Sequence, residues 1–430
     1  MLGRPSQKTP RKLLKRVLEP VFRTLVRASV WAARHRPFSP PLTPSKILVV
    51  ENCALGDVLL STPTLRRLRE LYSQAEISVA VDRRNAAVLL GNPNVRHILP
   101  LDAKSPVGFF RAVKQLRSEK FDVAMNCGPS VGNALLVWLA KAPCKIGYFE
   151  RFDCFEGLNR PIPITGIGIP VANSFSFRSQ HLVDRALDVV SSMQQGIGQS
   201  QGSRAGVSPV DGGTSQVPLL DLHIPEDLRT EAQNRYLSTG VHRSLIVVHP
   251  SAGWPFKTWS PDRFRGLLAR LWAMDGDAHI VLIGSEKERP MLNRIASGAG
   301  GEVEIVAGKN LLEVGALIDC ADVFIGADSG PMHIASSVGT PCVAIFGPST
   351  PRSSGPAGPG HRVLYHQVEC SPCNQTVCVR PEDPCINLIS VEEVAGAAME
   401  ILSEERGQKS AEKTLKVLAA GRELMFPAEG

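Results

Sequence analysis

The chain opens without an uninterrupted apolar run. Glu19, Arg23 and Arg27 break the one candidate stretch near the N-terminus, so neither a cleavable signal peptide nor a spanning helix is expected there. A dense cysteine framework is also missing. Ten cysteines in 430 residues are too sparse for a small secreted disulfide scaffold, so a reducing, cytoplasmic compartment is expected. The folded body lacks excess positive charge: residues 1–44 hold ten Lys/Arg against Glu19 alone, a local +9 within a total of +7, which leaves −2 for the rest. A nucleic-acid binder needs its basic stripe on the body. No nucleic-acid partner is therefore expected, and the basic character belongs to an arm.

The arm places Leu14, Val17, Leu18, Val21, Phe22 and Leu25 at helical spacing, with Lys12, Arg16, Arg23 and Arg27 largely off that stripe. That is the pattern of an interfacial helix on the anionic inner face of a membrane; a disordered basic tail is the alternative. Beyond it, 43% hydrophobic content is enough for two ordinary cores. Short apolar strands alternate with helical patterns: strands at Lys46–Val50, Ile77–Val81, Ile98–Leu101 and Val123–Asn126, and helices at Val58–Leu71 and near Ala86–Leu90, Phe109–Leu116 and Asn133–Lys141. A second series starts at Leu245–His249 and runs to a strand at Cys342–Phe346. Such alternation predicts two parallel sheets, each covered on both faces. Between them, 191–217 turns to Gly, Ser and Gln, which reads as a flexible insertion. The expected organisation is an arm at 1–44, an N-terminal α/β domain at 45–190, the insertion, a C-terminal α/β domain at 218–405, and a tail at 406–430.

No G-x-G-x-x-G follows the first strand of either half, so the dinucleotide fingerprint of dehydrogenases is missing. The candidate chemistry lies instead at strand ends, where open α/β sheets bind ligands. Asp57, in Asn52-Cys53-Ala54-Leu55-Gly56-Asp57, is either a helix N-cap or a cleft carboxylate raised toward the strength of a useful base. Lys257 and Thr258 supply a charge and a hydroxyl suited to phosphate oxygens, or else belong to a surface turn. Asp328-Ser329-Gly330-Pro331-Met332-His333 joins a strand to a helix with proline in its first turn, leaving backbone N–H groups free for a diphosphate. Glu286 could bind a nucleoside or cap a helix, and His333 could be packed rather than functional. Four cysteines crowd into Cys370-x2-Cys373-x4-Cys378-x6-Cys385. Closely spaced thiolates suit one structural Zn or Fe ion, with free thiols or a disulfide as the alternative.

Taken together, these segments resemble the glycosyltransferase family 9 heptosyltransferases from about Lys46 to Leu402. The resemblance rests on Gly56-Asp57 with Pro63, Asn92-Pro93, Leu101-Asp102, His249-Pro250 through Lys257-x-Trp259, and Asp328 through His333 followed by Gly339-Thr340-Pro341 and Phe346-Gly347-Pro348. It implies the GT-B architecture, two Rossmann-like domains facing a cleft. It also implies inverting transfer of heptose from ADP-heptose to a hydroxyl, in lipopolysaccharide core assembly. A transferase using another nucleotide sugar or a protein acceptor, or a non-catalytic nucleotide-sugar binder, is the alternative. In roles carried over from the family, Asp57 is the general base, Lys257 and Thr258 meet the donor phosphate, Asp328 holds the donor sugar, Ser329 and Gly330 bind the diphosphate, Glu286 meets the nucleoside, and His333 lies among the donor-binding residues. No Asp-x-Asp occurs in the cleft segments, so turnover is expected to need no metal or other cofactor. Glu51 stands where relatives are often basic, which bears on the acceptor.

Overall fold

Side-chain alternation along the first strand decides where both layers of the N-terminal half lie. In β1 (Lys46–Glu51), Ile47 and Val49 enter one apolar cluster while Leu48 and Val50 enter another. Successive strand residues face opposite sides, so a strand apolar at every position must be covered twice. The computed structural model describes residues 41–103, 105–127, 130–146, 187, 190, 219–237, 244–373 and 378–407. Most of the basic arm at 1–44, the insertion at 191–217 and most of the tail at 406–430 lie outside them.

The first half runs β1, α1 (Leu55–Leu60), α2 (Thr62–Leu71), β2 (Glu76–Asp82), β3 (His97–Leu101), α3 (Pro106–Ser118), β4 (Val123–Asn126), α4 (Val131–Leu139) and β5 (Cys144–Ile146). Its sheet has the order β3-β2-β1-β4-β5, and every pair is parallel. The second half runs α5 (Glu226–Tyr236), β6 (Leu245–His249), α6 (Pro261–Met274), β7 (His279–Gly284), α7 (Arg289–Ala296), β8 (Val303–Ala307), α8 (Leu311–Asp319), β9 (Val323–Ala327), α9 (Gly330–Val338), β10 (Cys342–Phe346) and β11 (Arg362–Tyr365). Its sheet, β11-β10-β9-β6-β7-β8, is again all parallel. Residues 391–407 form a last helix, α10. Its Val394, Ala398, Ile401 and Leu402 join α6 residues Phe264, Leu267 and Leu271 over the outer face of this sheet.

The two halves share one apolar cluster. Ile47 and Val49 of β1, Val58 and Leu59 of α1, Val247 of β6 and Phe324 of β9 all belong to it. Two glycines make the seam possible. A Cβ on Gly56 would lie 2.6 Å from the ring of His333, and one on Gly330 would lie 2.5 Å from Leu55 Cδ2. A side chain at Gly56 would run into the buried His333 ring, and one at Gly330 would displace Leu55.

The expected single helix at Val58–Leu71 is two helices. Ser61 and Thr62 turn their hydroxyls back onto the Val58 and Leu59 carbonyls at 2.8 and 2.7 Å, and Pro63 supplies no N–H to continue the ladder. The pattern near Ala86–Leu90 is a 3₁₀ turn, Ala86–Leu89, stopped before Gly91 at φ +74°. Helix α5 escaped the pattern reading because Glu-Asp-Leu-Arg-Thr-Glu-Ala-Gln-Asn-Arg-Tyr has no apolar stripe.

Candidate active site

The site lies where β1, β6 and β9 end. All three strands point their carboxyl ends toward the α1–α9 seam, so each delivers its last side chains to one cleft. From the first half comes Asp57. It is not the N-cap of α1, a position Ala54 occupies, but the third residue of the helix, in its first turn, where its Oδ2 accepts the Ala54 N–H at 3.1 Å. Burial raises its pKa, and the Ala54 N–H lowers it; across the cleft, Asp328 raises it and Lys257 lowers it. One carboxylate thus feels charges from the opposite domain.

Beneath Asp57 lies a polar cluster. Glu51, the last residue of β1, is 1% exposed, and its Oε2 has no hydrogen-bond partner. Asn133 of α4 donates to Glu51 Oε1 at 3.5 Å and to Cys53 Sγ at 3.2 Å. Burial first, then the Asp57 charge, pushes the Glu51 carboxyl well above its ordinary pKa, against a smaller pull from Cys53. Folding therefore favours the neutral form of Glu51. This gives an expected pH dependence. Below about pH 4.3 both states hold the proton; above it the unfolded chain releases it first. Stability then falls as pH rises toward the folded pKa, by up to about 1.4 kcal/mol per pH unit. Glu51→Gln removes that slope, so urea unfolding from about pH 5 to about pH 8 should show the variant gaining on wild type as pH rises. A pH-independent difference would mean Glu51 ionises in the folded protein.

From the second half comes an ion pair. Lys257 Nζ lies 2.5 Å from Asp328 Oδ2, and the side chains are 16% and 7% exposed. Ser349 Oγ donates to the same carboxylate oxygen at 2.5 Å. The surface-turn reading of Lys257 fails here, because the lysine is folded inward onto a partner. Ser349 directly follows Phe346-Gly347-Pro348, and only the fold brings it to Asp328. Thr258 reaches back to the Trp254 carbonyl at 3.4 Å within its own loop. Ser329 is the N-cap of α9, and its Oγ lies 3.3 Å from His249 Nδ1. Gly330 opens that helix against Leu55.

Two expected residues stand apart from this group. Glu286, just after β7, is paired with Arg289 at 2.6 and 2.9 Å, and that hydrogen-bonded guanidinium lowers its pKa. His333 is buried at 3% exposure with its ring against Gly56, so it lies in the seam beneath the cleft. The cysteines require a correction. Cys370, Cys373, Cys378 and Cys385 are free thiols that line one cavity of about 500 Å3 with Phe256, Pro348 and Arg380. Among the described residues no three His, Cys, Asp or Glu side chains are gathered as a metal-ligand set. The expected structural Zn or Fe ion therefore finds no support in the described residues.

Comparison with known proteins agrees with this architecture. Glycosyltransferase family 9 (heptosyltransferase) matches residues 109–382. Lipopolysaccharide heptosyltransferase 3 of Escherichia coli is 27% identical over 304 residues, covering 68% of this chain and 80% of that protein. A glycosyltransferase family 9 crystal structure from Veillonella parvula superposes with a TM-score of 0.65 at 23% identity, covering 84% of this chain and 98% of its own. The E. coli ADP-heptose lps heptosyltransferase II structure gives 0.61 at 20% identity, covering 84% and 99%. At these identities the structures establish the shared GT-B fold.

Proposed function

The chain belongs to glycosyltransferase family 9 and is a glycosyltransferase of GT-B fold, and from that premise we propose that it moves heptose from ADP-heptose onto a hydroxyl of the lipopolysaccharide core. The observation that carries the reading is the meeting of charges across the cleft: Asp57 from one half feels the Lys257–Asp328 pair of the other. A base on one wall and a cation on the opposite wall are what an inverting displacement needs. Asp57 takes the proton of the acceptor hydroxyl as its oxygen attacks the anomeric carbon, and the nucleoside diphosphate leaves with the electron pair of the broken bond. Lys257 and the N–H groups opening α9 neutralise charge growing on that diphosphate. Asp328 accepts from hydroxyls of the transferred sugar, Thr258 adds a hydroxyl beside the phosphates, and Glu286 meets the nucleoside.

The half-and-half origin of these groups supports an acceptor domain at 45–190 and a donor domain at 218–405. The relatives named above act on ADP-heptose or lipopolysaccharide by name, which supports the choice of substrates. A calorimetric screen of ADP-, UDP- and GDP-sugars tests it: ADP-heptose should bind, and preference for a UDP- or GDP-sugar would redirect the proposal.

A lipid-anchored acceptor also suits peripheral attachment at the inner face of a membrane. Among the described residues no helix is long and apolar enough to cross one, and the arm at 1–44 supplies ten cations. Each is worth on the order of 1 kcal/mol near anionic lipid. Full-length protein should pellet with anionic vesicles at low salt, while a chain beginning at Ser45 should not; equal pelleting removes the arm from this role.

A further inference from the structure

We propose that Asn85 is a positioning residue for sugar transfer: it aims Asp57 by holding the opposite edge of the Cys53–Ala54 peptide, whose N–H the Asp57 carboxylate accepts. Three residues, Asn52 to Ala54, join β1 to α1. Each is tied. The Asn52 N–H donates to Asn133 Oδ1 at 3.2 Å, and Asn133 Nδ2 donates to Cys53 Sγ at 3.2 Å. The Cys53 carbonyl accepts from Asn85 Nδ2 at 2.9 Å, and the Ala54 N–H donates to Asp57 Oδ2 at 3.1 Å.

The last two bonds share one peptide. The Cys53 C=O and the Ala54 N–H lie in a single rigid plane and point in opposite directions. A donor fixed on the oxygen therefore decides where the N–H is aimed, and the carboxylate that accepts it follows. Donation to the oxygen also polarises the peptide and strengthens the bond that its N–H gives. The return bond of a full capping box is missing, because Ala54 has no side-chain oxygen to accept from the Asp57 N–H. The heading of Asp57 thus depends on how this peptide is held.

Asn85 is itself firmly seated, and its side chain serves another part of the chain. It is 9% exposed; its N–H donates to the Asp82 carbonyl at 2.8 Å, and its carbonyl accepts the Val88 N–H at 3.1 Å. It stands at the N-cap of the 3₁₀ turn Ala86–Leu89 but makes no side-chain capping bond there. An asparagine at a helix start ordinarily gives its side-chain oxygen to that task. This one reaches a carbonyl 32 residues back in sequence. Its amide is a neutral donor, so it can hold the carbonyl without placing a charge beside Asp57.

The inference rests on the reading of Asp57 as the base. Asn85→Leu keeps the shape of the side chain and removes the donor; Asn85→Ser leaves a side chain too short to reach Cys53. Full-length protein carrying either should bind ADP-heptose normally and transfer about 10- to 100-fold more slowly, the scale of a misplaced catalytic group. The loss should fall on kcat and not on the donor KM. A weakened Ala54 N–H favours the charged carboxylate less, so the acid limb of kcat/KM should move up by about one pH unit. In an Asp57→Asn background the same substitutions should cost no more than about twofold, because no base is left to aim. Carbon-13 titration of aspartate-labelled protein, with the resonance assigned by its loss in Asp57→Asn, reads the same shift without substrate. An unmoved Asp57 titration, or a loss that multiplies in full on Asp57→Asn, would overturn the proposal. Near-normal transfer by Asp57→Asn would overturn the base reading instead, and the titration would still decide whether Asn85 acts on Asp57.

Discussion

Asp57→Asn is expected to lower sugar transfer by about 10² to 10⁴-fold while leaving the fold and donor affinity nearly intact. The expectation follows from where the carboxylate sits. Its one bond to its own helix is the Ala54 N–H at 3.1 Å, and an asparagine carbonyl can accept that bond equally well. What asparagine cannot do is take a proton from the acceptor. The same environment predicts the pH profile: because burial and Asp328 raise the Asp57 pKa, the acid limb of kcat/KM should fall at higher pH than an ordinary aspartate would give. Thermal unfolding, donor dissociation constant and transfer rate measured in parallel decide the matter. Near-normal transfer by this variant would remove Asp57 from the mechanism.

How much of this was readable from the sequence depended on range. Strands buried on both faces announce themselves as apolar runs, so Leu245–His249, His279–Gly284 and Cys342–Phe346 coincide with the observed strands. The same holds for helix Pro261–Met274, whose Ser260 cap, Pro261 and four buried apolar residues are all local signals. The residues gathered at the cleft were readable too, because strand ends of parallel sheets converge. Their partners were not. Nothing in a chain position shows that Lys257 would fold onto Asp328, 71 residues away, or that Asp57 would occupy the third residue of its helix rather than its cap. The cysteines differ: proximity in sequence suggests a ligand set, and among the described residues no such set is gathered. Glu51 stands out in the sequence only as a departure from relatives; its raised pKa comes first from burial, which is a property of the packed sheet.

Lys257→Ala should reduce the rate at saturating donor by about 10² to 10³-fold, the usual loss when one preorganised donor to developing charge is removed. A second effect comes from the ion pair. Without the ammonium, the Asp328 carboxylate, 7% exposed, is left with Ser349 as its remaining side-chain partner. An uncompensated buried charge is strongly destabilising, so the single variant should also melt earlier. Combining it with Asp328→Asn separates the two. The double variant should regain thermal stability but not rate, because the charge imbalance is gone while the cation is still missing. Recovery of rate together with stability would reduce Lys257 to a structural partner of Asp328.

The measurement that bears most directly on heptose transfer across this cleft is acceptor-dependent ADP release by purified full-length protein supplied with ADP-heptose and lipopolysaccharide core acceptors. ADP should form in step with heptosylated acceptor, without added divalent metal, and only when both substrates are present. Binding of ADP-heptose with no ADP release on any core acceptor would contradict transfer to the lipopolysaccharide core.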